Sequence, residues 1–323
     1  MRTLQVREAL REALRQELEA DPSVFVFGED VAGYGGLDAV TAGLQKEFGP
    51  ERVFDTPIAE SGMAGLAVGA AMMGMRPVVE MQFTGLITVA LDQIANSAAK
   101  ARYVHQGGLT VPMVVRTINF GKGNAYVAQA LEAWVAHVPG LKVVAPSTPA
   151  DSKGLMIASI RDPDPVVFVE HVSLYGREGP VPEEPYTVPL GKASVTRQGS
   201  DVTVVTYLSN VPIAEEAADE LAAESISVEV VDLRTLVPFD RETVLSSVSK
   251  TGRLVVAHEA VRRAGFGAEI VAVVTESEAF RDLKAPVVRV ANEGVPVPHS
   301  HHLYPHVLPD KDDVIAGIRR ALD

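Results

Sequence analysis

Glu60 has the clearest potential for acid–base chemistry in this sequence. Beyond Ser61 the chain continues to residue 75 in Gly, Ala, Met, Leu and Val, so Glu60 is the last charge before a long apolar segment. Small side chains let another backbone approach closely, or let a helix be buried on every side. A carboxylate at such a border often has a specific partner or a catalytic role. It equally suits a helix N-terminus, where it meets the positive end of the dipole.

A second group of reactive side chains lies at residues 298–306, PHSHHLYPH, which contain four of the eight histidines. This pattern predicts either a metal site, such as zinc, or a cationic pocket for a phosphorylated or carboxylated substrate. A solvated loop near an interface is the third interpretation. No second cluster of ligands supports zinc. Cysteine is absent, which excludes disulfides, thiolate metal sites and a cysteine nucleophile.

The composition limits the class of protein. A chain of 323 residues can form two domains with real cores. The net charge of −13 argues against a nucleic-acid partner. The first 22 residues form a charged amphipathic pattern rather than a signal sequence, and no apolar run reaches the length of a membrane span. A cytoplasmic protein without a membrane partner is therefore expected.

The elements that must position these side chains follow an α/β pattern. Strands alternating with helices predict doubly wound parallel sheets. In the first part, strands are predicted at 24–27, 76–83, 111–116, 141–146 and 165–170, and helices at 3–19, 92–102, 131–137 and 147–160. In the second part, strands are predicted at 202–207, 227–231, 253–257 and 286–290, and helices at 211–224, 240–250, 265–279 and 311–322.

The boundary between the two parts is predicted from composition. Residues 173–190 are rich in Pro, Glu and Gly and show no periodicity, so they are interpreted as an interdomain linker. The expected domains are residues 1–187 and 188–323.

Several segments together resemble one enzyme family. Residues 52–80, RVFDTPIAESGMAGLAVGAAMMGMRPVVE, closely resemble a segment of the β subunits (E1β) of thiamine-diphosphate-dependent 2-oxoacid dehydrogenases. These are the β chains of the pyruvate, branched-chain and acetoin dehydrogenase complexes. Similar matches are GEDV…YGG at 28–36, DQIANSAAKAR at 92–102, DLRTLVPFD at 232–240 and HEAVRRAGFGAE at 258–269. The resemblance covers nearly the whole chain.

The resemblance implies a thiamine-binding pyrimidine domain followed by a transketolase C-terminal domain. It gives Glu60 the catalytic role of hydrogen-bonding N1′ of the cofactor's aminopyrimidine, which favours the imino tautomer that deprotonates C2. Phe83 would pack on the pyrimidine ring, with Gln82 beside it. Glu29 and Leu86 complete the expected cofactor-binding set, although Leu86 takes the place of a tyrosine that the family often carries.

The resemblance also implies a partner. Single-chain thiamine-diphosphate enzymes hold Mg²⁺ and the diphosphate with a GDG motif, and this chain has none. Family members complete the site with an α subunit, as an α2β2 heterotetramer, and pass the acyl group to a lipoyl-bearing E2 or another carrier protein. Some hold K⁺ largely with carbonyl groups in the region that Leu109, Thr110, Asp162 and Asp164 match here. Those aspartates could equally cap a turn.

The chain departs from the family at the substrate and acceptor side. The family's His-Ser-Gln-Ser loop is replaced by Val127-Ala128-Gln129-Ala130, and valine cannot carry a proton in acyl transfer. The family usually has an aromatic residue at the position of His299, and few histidines follow it. We therefore assign Val127, Gln129, His299, His301 and His302 to a predicted acceptor loop.

Three hypotheses follow from this combination. The first is an E1β subunit that decarboxylates a 2-oxoacid. The second is a split transketolase-like transferase that moves a two-carbon ketol unit from a ketose phosphate to a carrier protein. The third is a non-catalytic scaffold, which the retention of Glu60 argues against.

Overall fold

The structure is a computed structural model that describes residues 2–323. The chain forms two compact units. The first contains residues 2–120 and Trp134–Leu190, and the second contains Gly121–Ala133 and Gly191–Asp323. The domain division between residues 187 and 188 stays a prediction.

The first unit begins with a short strand and alternates strands with helices. Its strands are β1 Arg2–Gln5, β2 Val24–Gly28, β3 Val53–Asp55, β4 Arg76–Met81, β5 Val114–Asn119, β6 Lys142–Val144, β7 Val166–His171 and β8 Glu178–Val181. Its helices are α1 Val6–Ala20, α2 Leu44–Phe48, α3 Glu60–Met72, α4 Ile87–Asp92, α5 Ala101–Val104, α6 Glu132–Ala136 (which begins in the second unit) and α7 Pro149–Arg161. Short 3₁₀ turns occur at Leu37–Ala39, Thr84–Leu86 and Val172–Leu174, and a π-helix at Gln93–Ala98.

The main sheet of this unit is parallel, with strands in the order β6-β7-β5-β4-β2-β3. The chain leaves β2 for β3 on one side and returns to β4 on the other. The connections that follow β2 and β4 therefore continue in opposite directions along the sheet. Open α/β sheets bind ligands at such a switch point. Every residue of β2 is buried, because both faces of a parallel sheet are covered by helices.

The second unit has a five-stranded sheet in the order β14-β13-β10-β11-β9. The strands of this unit are β9 Ser194–Arg197, β10 Val202–Thr206, β11 Val228–Asp232, β12 Thr235–Val237, β13 Leu254–Val261 and β14 Val288–Asn292. All of them except β12 belong to this sheet. Its helices are α8 Asn210–Ala222, α9 Arg241–Thr251, α10 Phe266–Thr275 and α11 Lys311–Leu322, with 3₁₀ turns at Glu278–Asp282 and His301–His306. All pairings in this sheet are parallel except that of edge strand β9 with β11. The predicted α/β class with two parallel-dominated sheets is confirmed.

Three segments differ clearly from the sequence prediction. The helix predicted at 3–19 begins only at Val6, because β1 pairs antiparallel with β8. β8 lies inside the stretch predicted to be an irregular linker, so that stretch contains regular structure. The strand predicted at 111–116 runs instead over Val114–Asn119. Pro112 has no N–H to give to a sheet ladder, which explains the later start.

Candidate active site

Two predicted site residues lie at the switch point of the first sheet. Glu29 directly follows β2, and Gln82 directly follows β4. The side-chain amide nitrogen of Gln82, Nε2, lies 3.5 Å from the backbone carbonyl oxygen of Glu29, so the two loops meet there. The Glu29 side chain is 6% exposed, and its Oε1 has no hydrogen-bond partner. A buried carboxylate oxygen without a partner is costly, and a donor on a bound ligand would offset that cost.

Glu60 is the first residue of α3 and is only 7% exposed. Ala59 at the N-cap cannot accept a hydrogen bond through its side chain, so the helix start has no conventional cap. Burial raises the pKa of Glu29 above its ordinary value, and the charge of Glu60 is the next largest cause. The fold therefore brings the two carboxylates close enough to repel each other.

Replacing Glu29 by glutamine is expected to stabilise the fold increasingly as the pH rises. The pKa of Glu29 is raised in the folded state, so ionisation costs more there than in the unfolded chain. As the pH rises from the pKa of Glu29 in the unfolded chain to its raised pKa in the folded protein, the native protein loses stability. A glutamine at this position does not ionise, so the variant does not lose it. Urea unfolding between pH 4 and pH 8 would measure the difference. Glu51→Gln, at an exposed position, is the control; an equal pH trend in both variants would contradict the prediction.

Phe83, the aromatic candidate, directly follows Gln82 in the loop after β4. It is half-buried and packs edge-on against Phe120, with ring centroids 5.3 Å apart at 77°. In an edge-to-face pair the partner covers at most one flat face of a ring. Phe83 precedes the 3₁₀ turn Thr84–Leu86, which the hydroxyl of Thr84 anchors by donating to Asn119 Oδ1 at 2.6 Å. Leu86, at the end of that turn, is half-buried.

The glycine-rich loop after Glu29 is held from two sides. The carboxylate of Asp55 accepts hydrogen bonds from the amides of Ala32 and Gly33, at 2.7 and 3.2 Å. Glu80, fully buried on β4, accepts one from the amide of Leu37 at 3.2 Å. At Gly36, whose φ is +72°, the loop packs closely against Thr41: a Cβ there would lie 2.6 Å from Thr41 Oγ1. Neither Asp55 nor Glu80 is among the site residues predicted from the sequence.

Glu80 belongs to a buried network of ion pairs. Arg116, with no exposed surface, donates to Glu80 Oε2 at 2.5 Å and to both oxygens of Glu170 at 2.7 and 2.9 Å. The hydroxyl of Tyr175 donates to Glu170 at 2.7 Å. Burial raises the pKa of Glu80 although Arg116 lowers it. A charge inside an apolar strand, such as Glu80 or Arg116, is the sequence signal that could have revealed this network.

The predicted acceptor loop lies in the second unit. Gly123 is held at both of its backbone groups: its amide donates to Tyr304 Oη at 2.9 Å, and its carbonyl accepts from His299 Nδ1 at 2.7 Å. Asn124 Oδ1 then accepts from the amide of Val127 at 3.3 Å. Val127 is half-buried and Gln129 is exposed.

The other histidines of this loop are not part of the Gly123 contact. His301 and His302 are exposed, and their ring centroids lie 3.9 Å apart. Within residues 2–323, no group of three or more histidine or carboxylate side chains is arranged to hold a metal.

Two of the four potassium candidates, Asp162 and Asp164, lie in an ion-paired turn of the first unit. Lys142 Nζ lies 2.6 Å from both carboxylate oxygens of Asp162, and Arg102 Nε lies 2.5 Å from Asp164 Oδ1. Asp162 also accepts from the amide of Asp164 at 2.9 Å, which is the turn-capping role weighed above. Leu109 and Thr110 are half-buried.

Comparison with known proteins gives a consistent result over the whole chain. Residues 2–178 match the family described as transketolase, pyrimidine binding domain, and residues 191–314 match transketolase, C-terminal domain. The pyruvate dehydrogenase E1 component subunit beta of Bacillus subtilis (strain 168) is 48% identical over 320 residues, which cover 98% of each chain. The mitochondrial beta-2 subunit of Oryza sativa subsp. japonica is 47% identical over 322 residues, 98% of this chain and 85% of that protein.

A solved structure gives the same fold. A split-gene transketolase, described as an inactive β4 tetramer, aligns with a TM-score of 0.80 at 25% identity, over 99% of this chain and 98% of that one. The chain belongs to the transketolase-like family of E1 component β subunits. The family predicted from residues 52–80 is thereby confirmed.

For this E1β-family chain, the comparisons support an enzyme component of a thiamine-diphosphate-dependent 2-oxoacid dehydrogenase over the ketol-transferase alternative. Its relatives are named as β subunits, which makes them parts of heteromeric enzymes. Along residues 2–323, every helix is too short or too polar to cross a lipid bilayer.

Proposed function

We propose that this E1β-family chain forms half of an active site that decarboxylates a 2-oxoacid and transfers the acyl unit to a lipoyl carrier. The observation that carries the proposal is the pair of buried carboxylates, Glu29 and Glu60, at the switch point of the first sheet. An α subunit in an α2β2 assembly would complete the site. Pyruvate is the first substrate to test, because the relatives are named pyruvate dehydrogenase subunits.

The residues present suit the pyrimidine end of thiamine diphosphate. Glu29 Oε1 is buried without a donor, and Phe83 offers a flat apolar face. When bound, the cofactor supplies the carbon nucleophile that attacks the 2-oxo group. Glu60 would hold a proton at N1′ of the aminopyrimidine, and Phe83 would stack on that ring. Gln82 and Leu86 would border it.

The metal and diphosphate would be held largely by the α subunit, because this chain has no GDG motif. A K⁺ ion near Leu109 and Thr110 remains part of the proposal. Asp162 and Asp164 already neutralise Lys142 and Arg102, so such an ion would rely on carbonyl oxygens rather than on these carboxylates. The cytoplasmic location also stays a prediction.

The acceptor side is proposed to be the loop of Val127 and Gln129 together with His299, His301 and His302. Val127 cannot move a proton, so a neighbouring group must handle protons during acyl transfer. His299 contacts the same loop through Gly123, which makes it the first candidate. The ketol-transferase alternative is favoured only by this missing histidine and by the His-rich loop.

The test is turnover by the chain assembled with its α subunit, thiamine diphosphate and Mg²⁺. One arm offers pyruvate and branched-chain 2-oxoacids with an artificial electron acceptor and measures CO₂ release. A second arm offers ketose phosphates and follows transfer of the ketol unit to a carrier protein. We expect CO₂ release from a 2-oxoacid by the complex, and none by this chain alone. Turnover of ketose phosphates only would overturn the proposal in favour of ketol transfer.

A further inference from the structure

A cleft of about 270 Å³ opens in the second unit beside β14, the edge strand of its sheet. The ionisable side chains that line it are Arg262, Arg289, Glu293, His306, Asp313 and Arg320. Three arginines and a histidine therefore share one cleft in a chain whose net charge is −13. The three arginines outnumber the two carboxylates of the cleft, and a local excess of positive charge favours an anion.

The carboxylates of the cleft do not neutralise all of this charge. Glu293 Oε1 pairs with Arg262 at 2.8 Å, and Asp313 is occupied by the start of α11, where it accepts from the amide of Asp310 at 3.2 Å. Within residues 2–323, no carboxylate lies within ion-pair distance of Arg289 or Arg320. These two guanidinium groups keep donors for a ligand.

The guanidinium group of Arg289 is held in place by a backbone hydrogen bond. Arg289 Nη1 donates to the carbonyl of Arg262 at 2.9 Å, which fixes the guanidinium while its other N–H groups stay available. The end of β14 is equally fixed, because Asn292 Oδ1 accepts from the amides of Gly294 and Val295 at 2.8 and 2.9 Å. A preformed cationic site loses little entropy when it binds.

The floor of the cleft, where α11 meets β14, is closely packed and includes Val290, Ala316 and Gly317. α11 packs directly on β14: a Cβ on Gly317 would lie 2.6 Å from Val290 Cγ2. A floor of this kind suits a small organic body, whereas paired arginines match the oxygens of a phosphate group in a bidentate manner. The volume is near the lower limit for small-molecule sites.

We propose that this cleft binds the phosphate group of a small phosphorylated metabolite, with Arg289 and Arg320 as the principal ligands and His306 at the rim. This inference is independent of the reaction proposed above, because the lining of the cleft includes none of the side chains assigned to the cofactor site or to the acceptor loop.

The test is calorimetric titration of the full-length protein with inorganic phosphate and with glycerol 3-phosphate at constant ionic strength. We expect saturable binding, weakened about tenfold or more by Arg289→Gln or Arg320→Gln, as for loss of a charge-assisted hydrogen bond. Arg319→Gln is the matched control: it lies next to Arg320 on α11, loses the same charge, and pairs with Glu224 at 2.7 Å rather than lining the cleft.

Three outcomes would overturn the proposal. The first is the absence of saturable binding by native protein. The second is an equal loss in the Arg319→Gln control, which would indicate diffuse surface charge. The third is tighter binding of an acidic peptide than of either phosphate compound, which would assign the β14 edge to a polypeptide. Thermal unfolding of each variant checks that the cleft variants are folded.

Discussion

Replacing Glu60 by glutamine is expected to lower turnover of the assembled enzyme by about 10²- to 10⁴-fold, the range for loss of a positioned acid–base group. Glutamine keeps the size of the side chain and its ability to accept a hydrogen bond, but it cannot carry the proton. The fold should be little affected. Glu60 is the first residue of α3, and loss of its interaction with the helix dipole costs only about 0.3–1 kcal/mol.

The control separates chemistry from helix capping. Glu242 also lies in the first turn of a helix, α9, but it is exposed. Glu242→Gln should therefore cost similar helix stability and leave turnover unchanged. CO₂ release and thermal unfolding should be measured for both variants. If Glu60→Gln kept native turnover, Glu60 would be only a helix-terminal carboxylate, and the scaffold hypothesis would gain support.

Replacing Arg116 by methionine is expected to destabilise the fold by about 3–5 kcal/mol, the usual result of breaking a buried ion pair from one side. Arg116 has no exposed surface and lies between Glu80 and Glu170. Its removal leaves two buried carboxylates without a counter-charge. The effect should extend to the glycine-rich loop, because Glu80 holds the amide of Leu37.

Two comparisons make this prediction specific. The triple variant Arg116→Met, Glu80→Gln, Glu170→Gln should recover much of the lost stability, because it leaves no buried charge. Arg15→Met breaks a half-exposed pair with Glu47 and should cost no more than about 1 kcal/mol. Denaturant unfolding would measure all three. Equal losses for Arg15→Met and Arg116→Met, or no recovery in the triple variant, would show that the network is not what stabilises this region.

The acidity of the medium provides a further check on Arg116→Met. At low pH the stranded carboxylates are protonated and uncharged, so the destabilisation should shrink as the pH falls. The pKa of Glu80 is already raised by burial in the native protein, and removal of Arg116 takes away the main influence that lowers it. A destabilisation independent of pH would point to lost packing instead.

Most of the helices and strands, and Glu60 as the candidate for acid–base chemistry, could be predicted from the sequence. The run VFVFG at 24–28 is typical of a buried strand, and every residue of β2 is buried. The Gly- and Ala-rich segment after Glu60 forms α3, which is buried on one face only and leaves Leu66 exposed. Strand and helix patterns are local properties of side-chain size and polarity, so they are readable along the chain. The same locality explains the errors: β1 is a strand only because β8, far along the chain, pairs with it.

The tertiary structure alone decided which polar groups meet. Strand order places the ends of β2 and β4 side by side, which brings Gln82 to Glu29, 53 positions away in the chain. It buries Arg116 between carboxylates 36 and 54 positions away. His299 likewise reaches Gly123 across 176 positions. Hydrogen bonds and ion pairs depend on distances of a few ångströms, and only the packing of sheets and loops sets those distances.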